Sequence, residues 1–160
     1  MESVLVDNEW LAIALPDGFA TIEHAELEKF MGFRYDQMWG VRDQSRHMLL
    51  CVTWKDSNKV VTKLVSEKTF AKQIDKAFSK RQRANNYRCE GFLSRNVRGA
   101  SATAQGLDFS HTVEGVPHAG EALVFKRGIR CYTLVYYTYA DVAEKNRDAY
   151  NKIVDSLEVR

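Results

Sequence analysis

The stretch His118–Arg160, HAGEALVFKRGIRCYTLVYYTYADVAEKNRDAYNKIVDSLEVR, decides the fold. It predicts a strand, a tight turn, a second strand and a helix. Ile129–Tyr139 is rich in β-branched and aromatic residues, which suit a pleated, buried surface. Alternation puts Ile129, Cys131, Thr133, Val135, Tyr137 and Tyr139 on one face. Arg130, Tyr132, Leu134, Tyr136 and Thr138 take the other. Neither face is polar beyond its first residue, so the strand is expected to be central, with a layer on each side. Ala122–Lys126 reads as the preceding strand, with Arg127-Gly128 as the turn. Asp141 and Glu144 have the spacing of a capping box. Beyond them Val142, Ala149, Tyr150, Ile153, Val154 and Leu157 line one side of a helix. Glu144, Lys145, Arg147, Asp148, Lys152 and Asp155 line the other. A polar face with both signs of charge predicts packing on a sheet, not on a membrane.

Working back towards the N-terminus, Trp10–Leu15 reads as a first strand stopped by Pro16-Asp17-Gly18. Thr21–Met31 predicts a short helix, acidic early and basic late, that Gly32 could close. Gln37–Arg42 and Arg46–Trp54 are strands joined through Asp43-Gln44-Ser45. Met48–Trp54 is apolar on both faces, so it is the second expected central strand. Lys55–Lys59 reads as a polar loop. Ser66–Ala84 predicts a long helix capped by Ser66, with Phe70, Ile74, Ala77 and Phe78 as its apolar stripe. Tyr87–Asn96 and Ala100–Phe109 read as strands. In the second, Ala100, Ala102 and Ala104 share a small-residue face. Close packing of a neighbouring layer explains such a face better than room for a ligand. His111–Gly120, with Gly115 and Pro117, reads as a loop.

At 160 residues, 45% hydrophobic and 28% charged, the chain is expected to be a single α+β domain over 1–160 that buries its own core. A net charge of +2 is far from the balance of a dedicated nucleic-acid binder, so no nucleic acid is expected as partner. Cys51, Cys89 and Cys131 are odd in number and widely spaced, which predicts reduced, buried thiols rather than a disulfide framework. The acidic N-terminus does not read as a signal peptide, and no run approaches a membrane span. Those features together predict a cytoplasmic protein.

Three stretches carry a family resemblance: LPDGF at Leu15–Phe19, SEKTFAKQIDKAF at Ser66–Phe78, and CYTLVYYTYADVAEKNRDAYNKIVDSLEV at Cys131–Val159. The last is an aromatic strand followed by a helix ending at the IVDSL of Ile153–Leu157. Together they resemble the PsbP-like superfamily, which includes the Ran-binding Mog-type proteins, the photosystem PsbP subunits and the bacterial DcrB-like proteins. The resemblance implies a mostly antiparallel sheet sandwiched between helices, α/β/α. It also implies non-enzymatic work such as protein binding, assembly support or effector loading, with no catalytic residues and no cofactor. The family's glycine ahead of its long strand pair matches either Gly91 or Gly99.

The residues themselves show no phosphate-binding loop, nucleophile elbow or HExxH motif. Asp108, His111, Glu114 and His118 form one cluster of ligand-type residues. Strung along an apparent loop, they read as solvated, not as a metal site. The strongest surface signal is the basic run Lys76, Lys80, Arg81, Arg83 and Arg88, opposed by Asp75 alone. Lys76, Lys80 and Arg83 fall four and three apart, on one helix face. As a solvated helix end these cations favour the C-terminal dipole, and the residues alone favour that reading. The functional reading is a docking patch for an acidic protein partner. The function expected is therefore a protein-binding adaptor or accessory module of the DcrB-like type. A small-ligand carrier with an apolar pocket is the alternative, and an enzyme comes third.

Overall fold

The computed structural model of the protein describes residues 1–31 and 37–160. In order, the strands are β1 (Glu2–Val6), β2 (Leu11–Leu15), β3 (Ala20–Thr21), β4 (Met38–Asp43), β5 (Met48–Asp56), β6 (Arg88–Arg95), β7 (Ala104–Val113), β8 (Val116–Arg127), β9 (Arg130–Tyr139) and β10 (Glu158–Val159). The α-helices are α1 (His24–Met31), α2 (Lys59–Leu64), α3 (Glu67–Arg81) and α4 (Ala143–Asp155).

Seven strands form one antiparallel sheet in the order β3-β4-β5-β9-β8-β7-β6, so β9 is its middle strand and β5 its neighbour. Both expected central strands are central. One face of β9 sends Tyr132, Leu134 and Tyr136 into a core shared with Tyr150, Ile153 and Val154 of α4. The small sheet β1-β2-β10 closes the same core with Leu11, Ile13 and Val159. The other face sends Val135 against Leu27 and Met31 of α1, with Ile74 and Phe78 of α3 alongside. Helices thus lie on both faces, as an α/β/α arrangement requires.

Several local readings change. Glu2–Val6 is a strand, paired to β2 through a turn in which Asp7, Asn8 and Glu9 all have positive φ. Asp7 is buried there and accepts from Arg130 (2.8 Å) and Tyr132 (2.7 Å), which ties the hairpin to the sheet. Lys59–Leu64, read partly as loop, is a short helix capped by the Asn58 side chain. Ser66 caps α3 as expected. The capping box at Asp141 does not form, because a 3-10 turn over Ala140–Val142 takes Asp141 before α4 begins. Ala100 and Ala102 lie outside β7, and of the three alanines Ala104 alone is buried, so there is no small-residue face. Gly99 stands ahead of β7, whereas Gly91 lies within β6. The proposed closure of α1 by Gly32 falls outside the described residues. Cys51, Cys89 and Cys131 are free thiols, but only Cys51 is buried. Among the described residues no helix is long and apolar enough to cross a membrane.

Gly40 of β4 sets how closely α1 approaches. A Cβ there would stand 2.7 Å from a Leu27 methyl and 3.2 Å from the Leu50 carbonyl oxygen. Gly40→Ala must push Leu27 off the sheet, and overpacking of this kind costs about 1–3 kcal/mol. A lowered urea midpoint with an unchanged slope is the expected reading.

Candidate functional site

α3 packs over β7 and β8 and is fixed at both ends. At the C-terminal end, Phe78 packs edge-on against Phe109 (5.4 Å between centroids) and Tyr87 (6.1 Å). The Tyr87 hydroxyl donates back to Asp75 at 2.9 Å. At the N-terminal end, Glu67 pairs with Lys126 of β8 at 2.8 Å. Between these anchors Ala71 is the only buried apolar side chain of α3. Phe70, Ile74, Ala77 and Phe78, the expected stripe, are half-buried.

Beside α3, over β5 and β9, lies a cleft of about 400 Å³, walled by Trp54, Val61, Phe70, Ile74, Phe78 and Val135. A second cleft of about 400 Å³ lies beyond α1, walled by Phe30, Arg42, His47, Met48, His118 and Tyr139. A narrow gap of about 30 Å³ shares Phe78, Arg81 and Val135 with the first and Phe30 and Tyr137 with the second. The three spaces adjoin through these shared wall residues in a line across the sheet, a segmented trough. Its floor carries a row of rings: Phe109 on His111 (5.5 Å), His111 on His118 (5.6 Å), His118 on Tyr139 (5.0 Å) and Tyr139 on His47 (4.3 Å). Exposed apolar side chains stand nearby on the same layer: Val60 and Leu64 on α2, and Phe30 on α1.

Lys76, Lys80, Arg81, Arg83 and Arg88 are all exposed. The structure gives Arg81 a place that its sequence position did not announce. It lines both the main cleft and the gap, with its guanidinium 5.9 Å from the centre of the Phe78 ring. Asp75 accepts from Tyr87, so its carboxylate is already engaged at the base of the patch. One detail differs. α3 ends at Arg81 with Gln82 as its C-cap, and Arg83 begins a 3-10 turn over Arg83–Asn85. Arg83 therefore leaves the helical face of Lys76 and Lys80.

His111 and His118 were expected in a solvated loop. They are instead buried cross-strand partners in the β7–β8 hairpin, which turns at Glu114 and Gly115, both with positive φ. The His118 Nδ1 lies 2.8 Å from the Val116 carbonyl oxygen and donates to it, whereas the His111 Nδ1 has no partner among the described residues. Burial and the neighbouring His118 push His111 down to about 4. Among the described residues no three His, Cys, Asp or Glu side chains are placed to hold a metal ion together. Cys131 also faces the main cleft, and burial pushes its thiol up to about 11.

No protein-family model matches the sequence, and no curated protein matches it. Solved structures do match. The solution structure of cyanobacterial PsbP (CyanoP) from Synechocystis has a TM-score of 0.74, at 15% identity, over 99% of this chain and 92% of that one. LpqN of Mycobacterium tuberculosis, involved in cell envelope biogenesis, has a TM-score of 0.57 at 12% identity, over 93% and 82% of the two chains. PA94 of Pseudomonas aeruginosa, a protein of unknown function, has a TM-score of 0.54 at 11% identity, over 100% and 99%. The fold is PsbP-like, as the three sequence stretches implied.

Proposed function

We propose that this protein is a non-enzymatic, protein-binding accessory module of the DcrB-like kind. Its docking site is the trough beside α3, with Lys76, Lys80, Arg81, Arg83 and Arg88 along the rim. The observation that carries this reading is the position of Arg81, at once in the basic run and in the wall of an open apolar cleft. A partner segment with an apolar anchor and acidic flanks matches both features. Apolar contact area supplies affinity and the rim charges speed encounter. Burial keeps the Cys131 thiol protonated at neutral pH, which fits binding better than nucleophilic chemistry.

The test compares the native chain with Lys80→Glu/Arg83→Glu as baits in the host's own lysate, followed by binding kinetics on the captured partner. Association is expected to slow about tenfold or more, and more so at low salt. Thermal stability should stay within about 0.5 kcal/mol, because both side chains are exposed. Unchanged association with unchanged stability would return the patch to an ordinary solvated helix end. A small-ligand carrier is the second reading, favoured by the cleft's volume of about 400 Å³. Native mass spectrometry of the purified protein separates the two, since a carrier retains a small molecule of defined mass.

A further inference from the structure

The opposite face of the sheet holds a second site, walled by the start of α4. Three side chains stand side by side there on three neighbouring strands. Asp108 of β7 is directly opposite Glu121 of β8, and Glu121 is directly opposite Tyr136 of β9. Like charges directly opposite each other destabilise a sheet. Glu121 is compensated: it is buried and accepts from Arg95 twice, at 2.8 and 2.7 Å, and from the Tyr150 hydroxyl at 2.7 Å. Asp108 is less so. It is half-buried, no hydrogen bond or ion pair from the described residues reaches its carboxylate, and the Arg147 and Arg95 guanidiniums act on it only from a distance. On its far side stands Gly91 of β6, where an added Cβ would meet nothing within 4 Å.

Tyr136 is the second anomaly. It is 6% exposed, and its buried hydroxyl has no hydrogen-bond partner among the described residues. Thr138, Arg147 and Glu121 all act on that hydroxyl, and all three line the same cleft of about 270 Å³. Thr138 is near, but it offers no bond of acceptable geometry, and its own oxygen accepts from Asn146 at 2.9 Å. Burial and the Glu121 charge push the Asp108 carboxyl above its ordinary range. A fold gains nothing from leaving a buried phenol without a partner beside a carboxylate that no cation pairs directly, and local conflicts of this kind collect at functional sites.

We infer that this cleft binds a small organic molecule through its ammonium group, which sits between the Asp108 carboxylate and the Tyr136 hydroxyl. An ammonium has three donors and no acceptor, so the two acceptor oxygens complement it, in a cleft where Glu90, Asp108 and Glu121 outnumber the single cation Arg147. Its charge would also relieve the repulsion between Asp108 and Glu121. A metal ion fits less well, because among the described residues no three ligand-type side chains are placed to share one. The volume suits a small molecule and not a peptide chain. The site lies across the sheet from the trough and does not depend on the docking reading.

Amide chemical shifts of the full chain report the test, with 2-phenylethylamine, phenylalanine and 2-phenylethanol each titrated to about 10 mM, a concentration that reveals millimolar binding. The amine is expected to shift the amides of Asp108, Glu121 and Ala143, and the alcohol to leave them in place. A response to phenylalanine as well would make the ligand a zwitterion whose carboxylate meets the α4 N-terminus, and the ammonium contact would stand. Asp108→Asn should weaken the amine at least tenfold while raising the melting temperature, because it removes the like-charge pair. A merely structural carboxylate would not show that opposed pair of effects. Tyr136→Phe, which removes a hydroxyl without a partner, should fold normally and also weaken the amine. No shifts with the native chain, equal shifts from the alcohol, or full binding by both variants would overturn the assignment.

Discussion

Lys126→Ala lowers the unfolding free energy by about 3–5 kcal/mol, the cost of removing one partner of a buried ion pair. The Lys126 side chain is 6% exposed and that of Glu67 10%. The Lys126 ammonium donates to the carbonyl oxygens of Thr62 (2.9 Å) and Val65 (2.8 Å) and meets Glu67 at 2.8 Å. Its three donors are therefore matched by three acceptors. Two helix ends benefit at once, since the cation lies at the C-terminus of α2 and its carboxylate partner is in the first turn of α3. Truncating the lysine leaves Glu67 charged in an apolar recess and frees two carbonyl groups. Lys126→Met/Glu67→Leu removes both charges and should recover much of the loss, because matched apolar pairs often replace buried ion pairs at little cost. Urea unfolding of the three chains measures this. If the single variant is no less stable than the double, the pair is not what fixes this corner. The consequence reaches the trough. Lys126 anchors the N-terminal end of α3, so Lys126→Ala should also speed hydrogen exchange in α2 and the first turn of α3 while β9 stays protected.

The layers of the fold were legible because they depend on local pattern. Met48–Trp54 and Ile129–Tyr139 are apolar on both faces, and both run through the middle of the sheet. Ser66 announced the start of α3 by its chemistry alone. The misreadings have physical causes. Val60, Val61 and Thr62 are β-branched and argue against a helix, yet Asn58 caps one, with its side chain accepting from the Val61 N–H at 2.8 Å. Pro117 and Gly115 suggested a loop, but β8 extends beyond its pairing with β9, which begins at His118, so the missing N–H of Pro117 breaks no bond to β9. Asp7-Asn8 was an available turn signal for the first hairpin. The basic rim could be listed from the sequence. The trough beside it could not, because its depth depends on Lys126 meeting Glu67 and Tyr87 meeting Asp75. The row of Asp108, Glu121 and Tyr136 exists only once the register of three strands is known.

Acid should destabilise the protein well before its carboxylates titrate, and His111 should be the main cause. The ring is 8% exposed, packed among Phe109, His118 and Tyr137, and its Nδ1 has no partner among the described residues. Folding lowers its pKa from 6.5 to about 4. Above 6.5 the imidazole is neutral in both states and has no effect on pH dependence. Between 6.5 and 4 the unfolded chain takes up a proton that the folded chain refuses, so stability falls as pH falls. Below about 4 both forms are protonated and the loss levels off. At about 1.4 kcal/mol for each pH unit, the full loss is roughly 3 kcal/mol. Asp108 acts in the opposite sense. Its carboxyl is raised by burial and by Glu121, so protonation relieves the folded state as pH falls. Asp43 and Asp56 are lowered, Asp56 chiefly by its bond to Arg130, and their stabilisation is lost only below the ordinary carboxylate range. His111→Phe keeps a ring in place and breaks no bond at Nδ1. Its melting temperature should change little between about pH 7 and pH 4.5, whereas that of the native chain should fall by several degrees. Parallel curves for the two chains would move the acid sensitivity elsewhere. Flattening in the variant would fix it on the floor of the trough, at the buried His111 ring.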